Sequence, residues 1–373
     1  MKKETALTTP QAYIDVLSRL IFHGYAGHFE QPLDAIHAIF PELQYVVALG
    51  PEQRRDFLEL AQSHHVLVRS LVVLHRAAQT AGMEDVAEWT AAALNEERAR
   101  AKNAVIKLES VCRELEAQGC KVAVIKSLDH WPDIGSDLDL YTTGDAENVI
   151  SVMRTALGAH QAARSWGDRL ANKWNFSVPG LPELIEIHVR YLGQTGEHNK
   201  MARRVVERRI SKSVGGRNFF VAAPEEQIVI STLQRMYRHF YFRLCDMADV
   251  SALLQANAID FAELRRAADL GGIWPGVATF LFLVATFAES YGAMVVLSNE
   301  VMESRCSPHI RVHFENGFLR VPKFPAAGLF GMQLLNAGRN RDLRAVCRLP
   351  LLPPLAVTAL VTQRLTGNDK GVW

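Results

Sequence analysis

Val122-Ala123-Val124-Ile125-Lys126-Ser127 is the stretch on which the reading of this chain turns. Four apolar residues in a row, closed by a polar pair, mark a buried strand. Asp137-Leu138-Asp139 follows, its first acid ten residues beyond Ser127, with Leu140 and Tyr141 continuing the apolar run. Further on, Ile185-Glu186-Ile187-His188 sets a third acid in an alternating, strand-like stretch. In a strand, residues i and i+2 face the same side, roughly 6.6 Å apart. Asp137 and Asp139 can therefore converge, and Glu186 joins them if its strand lies alongside. Three carboxylates in one place repel one another unless a cation neutralises them. Hard oxygen ligands select Mg²⁺ or Mn²⁺. Two such ions about 3.5–4 Å apart form the apparatus of phosphoryl and nucleotidyl transfer.

Around this stretch the chain divides into three parts. Residues 1–118 read as helical. Thr9-Pro10 has the form of an N-cap followed by proline at the first helical position. One long amphipathic helix is predicted from Glu52 to about Gln79, along Phe57, Ala61, His64, Leu67 and Leu71, and ends at Gly82. Another is predicted from Glu84 to about Gln118, capped by Gly119. Residues 119–222 read as a small mixed α/β core. A helix is predicted from Asp145 to Leu157, and strands Trp174–Val178 and Leu184–Val189 are joined through Pro179-Gly180. Residues 223–373 are helical again, opening at Pro224-Glu225-Glu226, with proline and acids in the first turn as the helix dipole prefers. The expected fold is α+β: a small mixed sheet flanked by N- and C-terminal helical regions.

Composition narrows the function. The 373 residues carry 41 Lys and Arg against 40 Asp and Glu. A dedicated nucleic-acid binder usually shows a basic excess, so nucleic acid is not the expected partner. Five cysteines without a C-x-x-C argue against a disulfide framework and a zinc ribbon. Met1-Lys2-Lys3 is not followed by an apolar core of a signal peptide, so a reducing cytoplasm is the default. Leu270–Ala288 is free of charge for 19 residues, but glycines and Pro275 interrupt it, and it reads as a buried helix. Leu349–Gln363, 15 residues, is too short to span a membrane that needs about 20. P-loop, Rossmann, nucleophile-elbow and zincin motifs are all absent.

The order of strand, polar pair, D-x-D and acid-bearing strand resembles the nucleotidyltransferase superfamily of DNA polymerase beta-like folds. More closely it resembles the bacterial family of uncharacterised nucleotidyltransferases. The matching stretches are Val124-Ile-Lys-Ser127, Ser136-Asp-Leu-Asp-Leu140, Ile185-Glu-Ile-His-Val189, Ala223-Pro-Glu-Glu226 and Arg243-Leu-Cys-Asp246. Lys126 stands where the wider superfamily has glycine, and Ser127 where the closer family has it. The third carboxylate is Glu186 rather than the shorter aspartate. The resemblance implies an enzyme that moves a nucleoside monophosphate from an NTP co-substrate to a small-molecule, peptide or protein acceptor, with Mg²⁺ or Mn²⁺. Asp137, Asp139 and Glu186 would then be the catalytic metal ligands, and Lys126, Ser127 and His188 would bind the nucleotide, the first two at its β- and γ-phosphates. Two alternatives stay open: phosphoryl transfer on the same frame, and a non-catalytic scaffold that binds nucleotide or peptide.

Other residues have a plain reading beside the functional one. Lys126 can hold a triphosphate or reach to solvent. Ser127 can offer a phosphate contact at a helix N-terminus or cap that helix. His188 shares a strand face with Glu186, where it can ligate, shuttle protons, orient a carboxylate or be structural. The basic run Arg203–Arg217 can meet a triphosphate or an anionic acceptor, and the group Arg235, Arg238, His239 and Arg243, placed on a helix by Met236, Phe240 and Leu244, can line the cleft against the core; both read first as solvated faces. His64-His65 lacks partner ligands along the sequence and reads as structural.

Overall fold

A computed structural model describes residues 9–24 and 39–366. The signal-peptide reading of Met1 to Thr8 lies outside the described residues. The apolar run at 122 forms β1 (Val122–Val124), which pairs antiparallel with β2 (Asp137–Thr142). Five further strands complete the sheet: β3 (His160–Gln161), β4 (Lys173–Ser177), β5 (Leu184–Val189), β6 (Ile210–Val214) and β7 (Arg217–Val221). Their order is β3-β4-β5-β2-β1-β7-β6. β5 runs parallel to β2 and β7 parallel to β1, so the sheet is mixed, as the sequence implied. The β4–β5 pair is antiparallel, with Gly180 in its connection at a φ of +75°, a conformation that favours glycine.

Period-two alternation divides the sheet faces between two cores. Leu138, Leu140, Ile185, Ile187 and Phe176 point to one side. There they pack on Leu108, Val111 and Leu115 of the helix Glu84–Ala117 and on Val149 and Met153 of the helix Ala146–Thr155. Ala123, Ile125 and Tyr141 point to the other side. They join a core shared by helices from both ends of the chain, with Leu17, Leu71, Leu264 and Phe280 among its members. The helices before and after the sheet therefore form one packed body. Asp137, Asp139, Glu186 and His188 lie on this second face. The charge-free stretch from Leu270 becomes the buried helix Trp274–Ser290. No helix of the described residues is long and apolar enough to cross a membrane.

Four local expectations are corrected. The single helix predicted over 52–79 is two, Pro51–Ser63 and Leu67–Thr80, broken where His65 takes a φ of +52°. The break serves a tertiary contact. The Leu244 N–H donates to His64 Nδ1 at 2.9 Å, and the Cys245 N–H donates to His64 O at 3.2 Å. No helix follows Ser127, so that residue is neither a helix cap nor at a helix N-terminus. The helix predicted through Met236, Phe240 and Leu244 does not run on. A π-turn over Arg235–His239 ends at Phe240, at a φ of +55°, before a new helix starts at Leu244. The basic run 203–217 is not a bare solvated face. It holds a helix turn and the β6–β7 hairpin, with Arg204 and Arg208 paired to Glu225, Glu226 and Glu263, Arg209 to Glu116, and Arg217 to Glu109.

Leu140, fully buried in the first core, tests this packing. Leu140→Ala should lower the unfolding free energy by about 2–5 kcal/mol, read by urea denaturation. A loss under about 1 kcal/mol would mean that the face is not close-packed.

Candidate functional site

The β2–β5 register builds the site. Asp139 pairs with Glu186 across the parallel strands, and Tyr141 with His188. Partners in register share a face, so Asp139, Glu186 and His188 stand together. Ligand atoms of these three residues lie within 4.8 Å of one another. Asp137 shares the face one step outward and is exposed. Next to β5, β4 brings Lys173 opposite His188.

Lysines occupy the positions where bare carboxylates would repel. Lys126 Nζ is ion-paired to Asp139 and lies 3.9 Å from Glu186 Oε1. Lys173 Nζ lies 2.7 Å from Glu186 Oε2 and 3.2 Å from Asp168 Oδ1. His188 Nε2 is 2.8 Å from Glu186 Oε1 and 3.4 Å from Asp139 Oδ1. Burial raises the Glu186 pKa, but the Lys173 charge, the His188 hydrogen bond and Lys126 outweigh it and hold the carboxyl well below its ordinary value. Asp137 moves the other way. Desolvation, then the charges of Asp139 and Glu186, push its pKa up. Four carboxylates (Asp137, Asp139, Asp168 and Glu186) face two ammonium groups. The carboxylates outnumber the ammonium groups in a partly desolvated place.

Backbone geometry fixes Lys126. It sits in the left-handed region at a φ of +63°, and the Ser127 N–H donates to Ile125 O at 2.6 Å across a three-residue turn. Glycine adopts this conformation without strain, whereas a lysine pays about 1–3 kcal/mol. The hydroxyl of Ser127 faces the chain instead of solvent. It accepts from the Asp139 N–H at 2.7 Å and donates to Asp137 O at 3.4 Å, tying the turn to the start of β2.

A cavity of about 50 Å³ adjoins the row, lined by Lys126, His188, Gln194, Gln234, Tyr237 and Arg238 among others. Arg238, one of the four basic residues read as a solvated face, thus borders the site, with a buried Nε that has no partner. Arg235 does not border it, being buried against Asp246 at 2.8 Å. The cations around the π-turn are felt at His239. Desolvation, then Arg238, Arg235, Arg243 and Lys126, hold its pKa well below the ordinary value. Lys173 and Asp168 escaped sequence reading. The alternation Lys173, Asn175, Ser177 opposite a strand of known face was the available signal for Lys173.

The donor set of Asp139, Glu186 and His188 suits a hard or borderline divalent cation. The surplus negative charge favours one, and His188 Nδ1 is buried without a hydrogen-bond partner. The residues therefore fit such an ion, provided that Lys126 leaves the Asp139 oxygen it now holds.

Fold and site together define a mixed α/β protein with an acidic row on one face of its sheet. Residues 50–290 match the family described as uncharacterised nucleotidyltransferase, and the chain belongs to that family. Among solved structures, that of an antigenic nucleotidyltransferase-like protein from Paracoccidioides brasiliensis is 14% identical. It covers 54% of this chain and 95% of that one at a TM-score of 0.30, a likeness too slight to carry weight. No match is found among curated proteins.

The depressed Glu186 pKa has a signed consequence. Its contribution to stability is complete above the ordinary glutamate value of 4.5 and is lost as pH falls through the lower folded value. In EDTA, the melting-temperature advantage of wild type over Glu186→Gln should narrow as pH is lowered below about 4.5. A gap independent of pH would mean that Lys173 and His188 do not stabilise the charged form.

Proposed function

We propose that the acidic row is a nucleotidyl-transfer site using Mg²⁺ or Mn²⁺. The register that sets Asp139 beside Glu186, with Asp137 and His188 on the same face, carries this reading. The family supports nucleotidyl transfer in general, and the metal and acceptor are part of the proposal. Asp139 and Glu186 would hold the ion, with Asp137 beside them. When bound, the ion supplies neutralisation of phosphate charge and acidification of an acceptor hydroxyl. The acceptor oxygen then bonds to the α-phosphorus while the bond to the bridging oxygen breaks, and pyrophosphate leaves.

The chain's own residues do the rest. Lys126 and Arg238 lie where phosphate oxygens would enter, and both carry charge of the right sign. Lys173 keeps Glu186 ionised and fixes its direction. His188 braces both acids through Nε2. Ser127 fixes the main chain at Asp139. A cavity of about 50 Å³ is far below the roughly 300–1,000 Å³ of ordinary ligand pockets. Nucleotide entry would require this space to widen, and an exchange of Asp139 for phosphate by Lys126 would free the carboxylate for metal. The acceptor is a small molecule, a peptide or a protein with a nucleophilic oxygen. A second reading, nucleotide binding without transfer, draws on the same Lys126–Asp139 ion pair: if the pair persists, no metal is held.

Incubation with each NTP, Mg²⁺ or Mn²⁺ and acceptor pools tests the proposal by pyrophosphate release. The mass of the product separates a nucleotide from a phosphate addition. An Mg²⁺–NTP complex that binds only the folded protein, at 100 times its dissociation constant, adds about 2.7 kcal/mol of stability. The right NTP should raise the melting temperature, and EDTA should abolish the rise. No shift with any NTP and either metal would remove the proposal's support.

Asp139→Asn should lower transfer by about 10² or more, since each 1.36 kcal/mol of lost transition-state stabilisation is tenfold. It should also cost about 1–3 kcal/mol of stability, because Lys126 loses its close partner. Unchanged turnover in this variant would place the chemistry elsewhere.

A further inference from the structure

A second cluster of ligating side chains lies apart from the acidic row. His65, His130 and Cys245 bring one ligand atom each to within 4.8 Å of the other two. They come from three distant places in the chain. His65 is the residue at which the predicted long helix breaks, His130 lies in the segment between β1 and β2, and Cys245 is in the first turn of the helix Leu244–Gln255. Each segment has positioned its residue at a cost or with support. His65 holds a left-handed backbone at a φ of +52°, uncommon for a residue other than glycine. Its Nδ1 is buried with no hydrogen-bond partner. The two imidazole rings meet edge to face at 5.6 Å between centroids.

The surroundings have the form that metal-bound histidine usually takes. His130 Nδ1 meets Asp249 Oδ2 at 2.5 Å, and the ring also hydrogen-bonds to the Cys245 side chain. Asp249 is itself fixed by Arg69, whose Nη1 donates to Oδ1 at 2.6 Å. Arg69 in turn donates to Asp133 at 2.9 Å, and Asp133 accepts the Val68 N–H at 2.6 Å. A carboxylate behind the distal nitrogen fixes tautomer and ring orientation and raises ligand basicity. The ordered arrangement is thus ligand, carboxylate and arginine, anchored on the helix Leu67–Thr80.

We propose that His65, His130 and Cys245 form a zinc site. Two imidazoles and a thiolate suit Zn²⁺ and disfavour Mg²⁺ and Ca²⁺. Zinc takes four ligands in a tetrahedron, so three protein ligands leave one position for water. On binding, the thiol proton is released and a Zn–S bond forms. The ion would tie the β1–β2 segment, residues 125–136, in which Lys126 lies, to helices from both halves of the chain. It would therefore stiffen the connection between Lys126 and the acidic row without taking part in it.

Cobalt(II) titration of the full-length protein, freed of metal with EDTA, tests the site. Expected are tetrahedral visible bands and a thiolate-to-cobalt charge-transfer band saturating at one equivalent, displaced by Zn²⁺. Cys245→Ser should abolish the thiolate band. His65→Asn, which tolerates the left-handed backbone, should weaken binding at least tenfold while leaving the far-ultraviolet spectrum unchanged. Asp249→Asn should weaken it about 10–100-fold. The Asp139→Asn/Glu186→Gln variant should keep the band, which separates this site from the acidic row. The proposal is overturned if wild type shows no thiolate band, if the band survives Cys245→Ser, or if it disappears in the Asp139→Asn/Glu186→Gln variant.

Discussion

The parallel pairing of β2 with β5 is the constraint on which the site depends. It places two acids side by side at Asp139 and Glu186, a liability in a partly desolvated setting. Neighbouring elements answer it. β4 supplies Lys173, and the turn after β1 supplies Lys126, each with an ammonium group on the acids. A one-residue slip in either strand would send Asp139 or Glu186 to the apolar face and bring a leucine or isoleucine out. Leu138, Leu140, Ile185 and Ile187, packed on the helix Glu84–Ala117, oppose that slip. The core that stabilises the fold thus also fixes the polar geometry.

Lys126 links strain, charge and access. Its left-handed backbone is unfavourable, and the ion pair with Asp139 offsets part of that cost. The same ammonium blocks the oxygen a divalent ion would need. In the proposed function a triphosphate would offer Lys126 a more highly charged partner, so nucleotide and metal would arrive most favourably together. With neither present, carboxylates outnumber ammonium groups at the row, which gives a cation a reason to enter.

Short-range pattern carried much of the fold into view. The apolar run at Val122, the alternation at Leu184–Val189 and the helix ended by Gly119 were all legible, because each depends on local period or backbone preference. The same-face placement of Asp137 and Asp139 followed from strand period alone. Its extension to Glu186 depended on which strands are neighbours, a long-range property. Lys173 was missed because its role comes from pairing across β4 and β5. The break at His65 was missed because the apolar spacing from Phe57 to Leu71 continues through it. Only the contacts of His64 with Leu244 and Cys245, far along the chain, explain why the helix stops there. Arg238 looked solvated because a continuous helix was assumed where a π-turn ends at Phe240.

In the proposed function the acidic row exchanges its lysine for a divalent cation and a nucleotide. Anomalous diffraction from crystals grown with Mn²⁺ and a non-hydrolysable NTP analogue tests it most directly. The account expects a manganese peak between the carboxylates of Asp139 and Glu186, with Lys126 moved from Asp139 onto phosphate oxygens. Nucleotide density with no manganese at this row and the Lys126–Asp139 ion pair intact would contradict it.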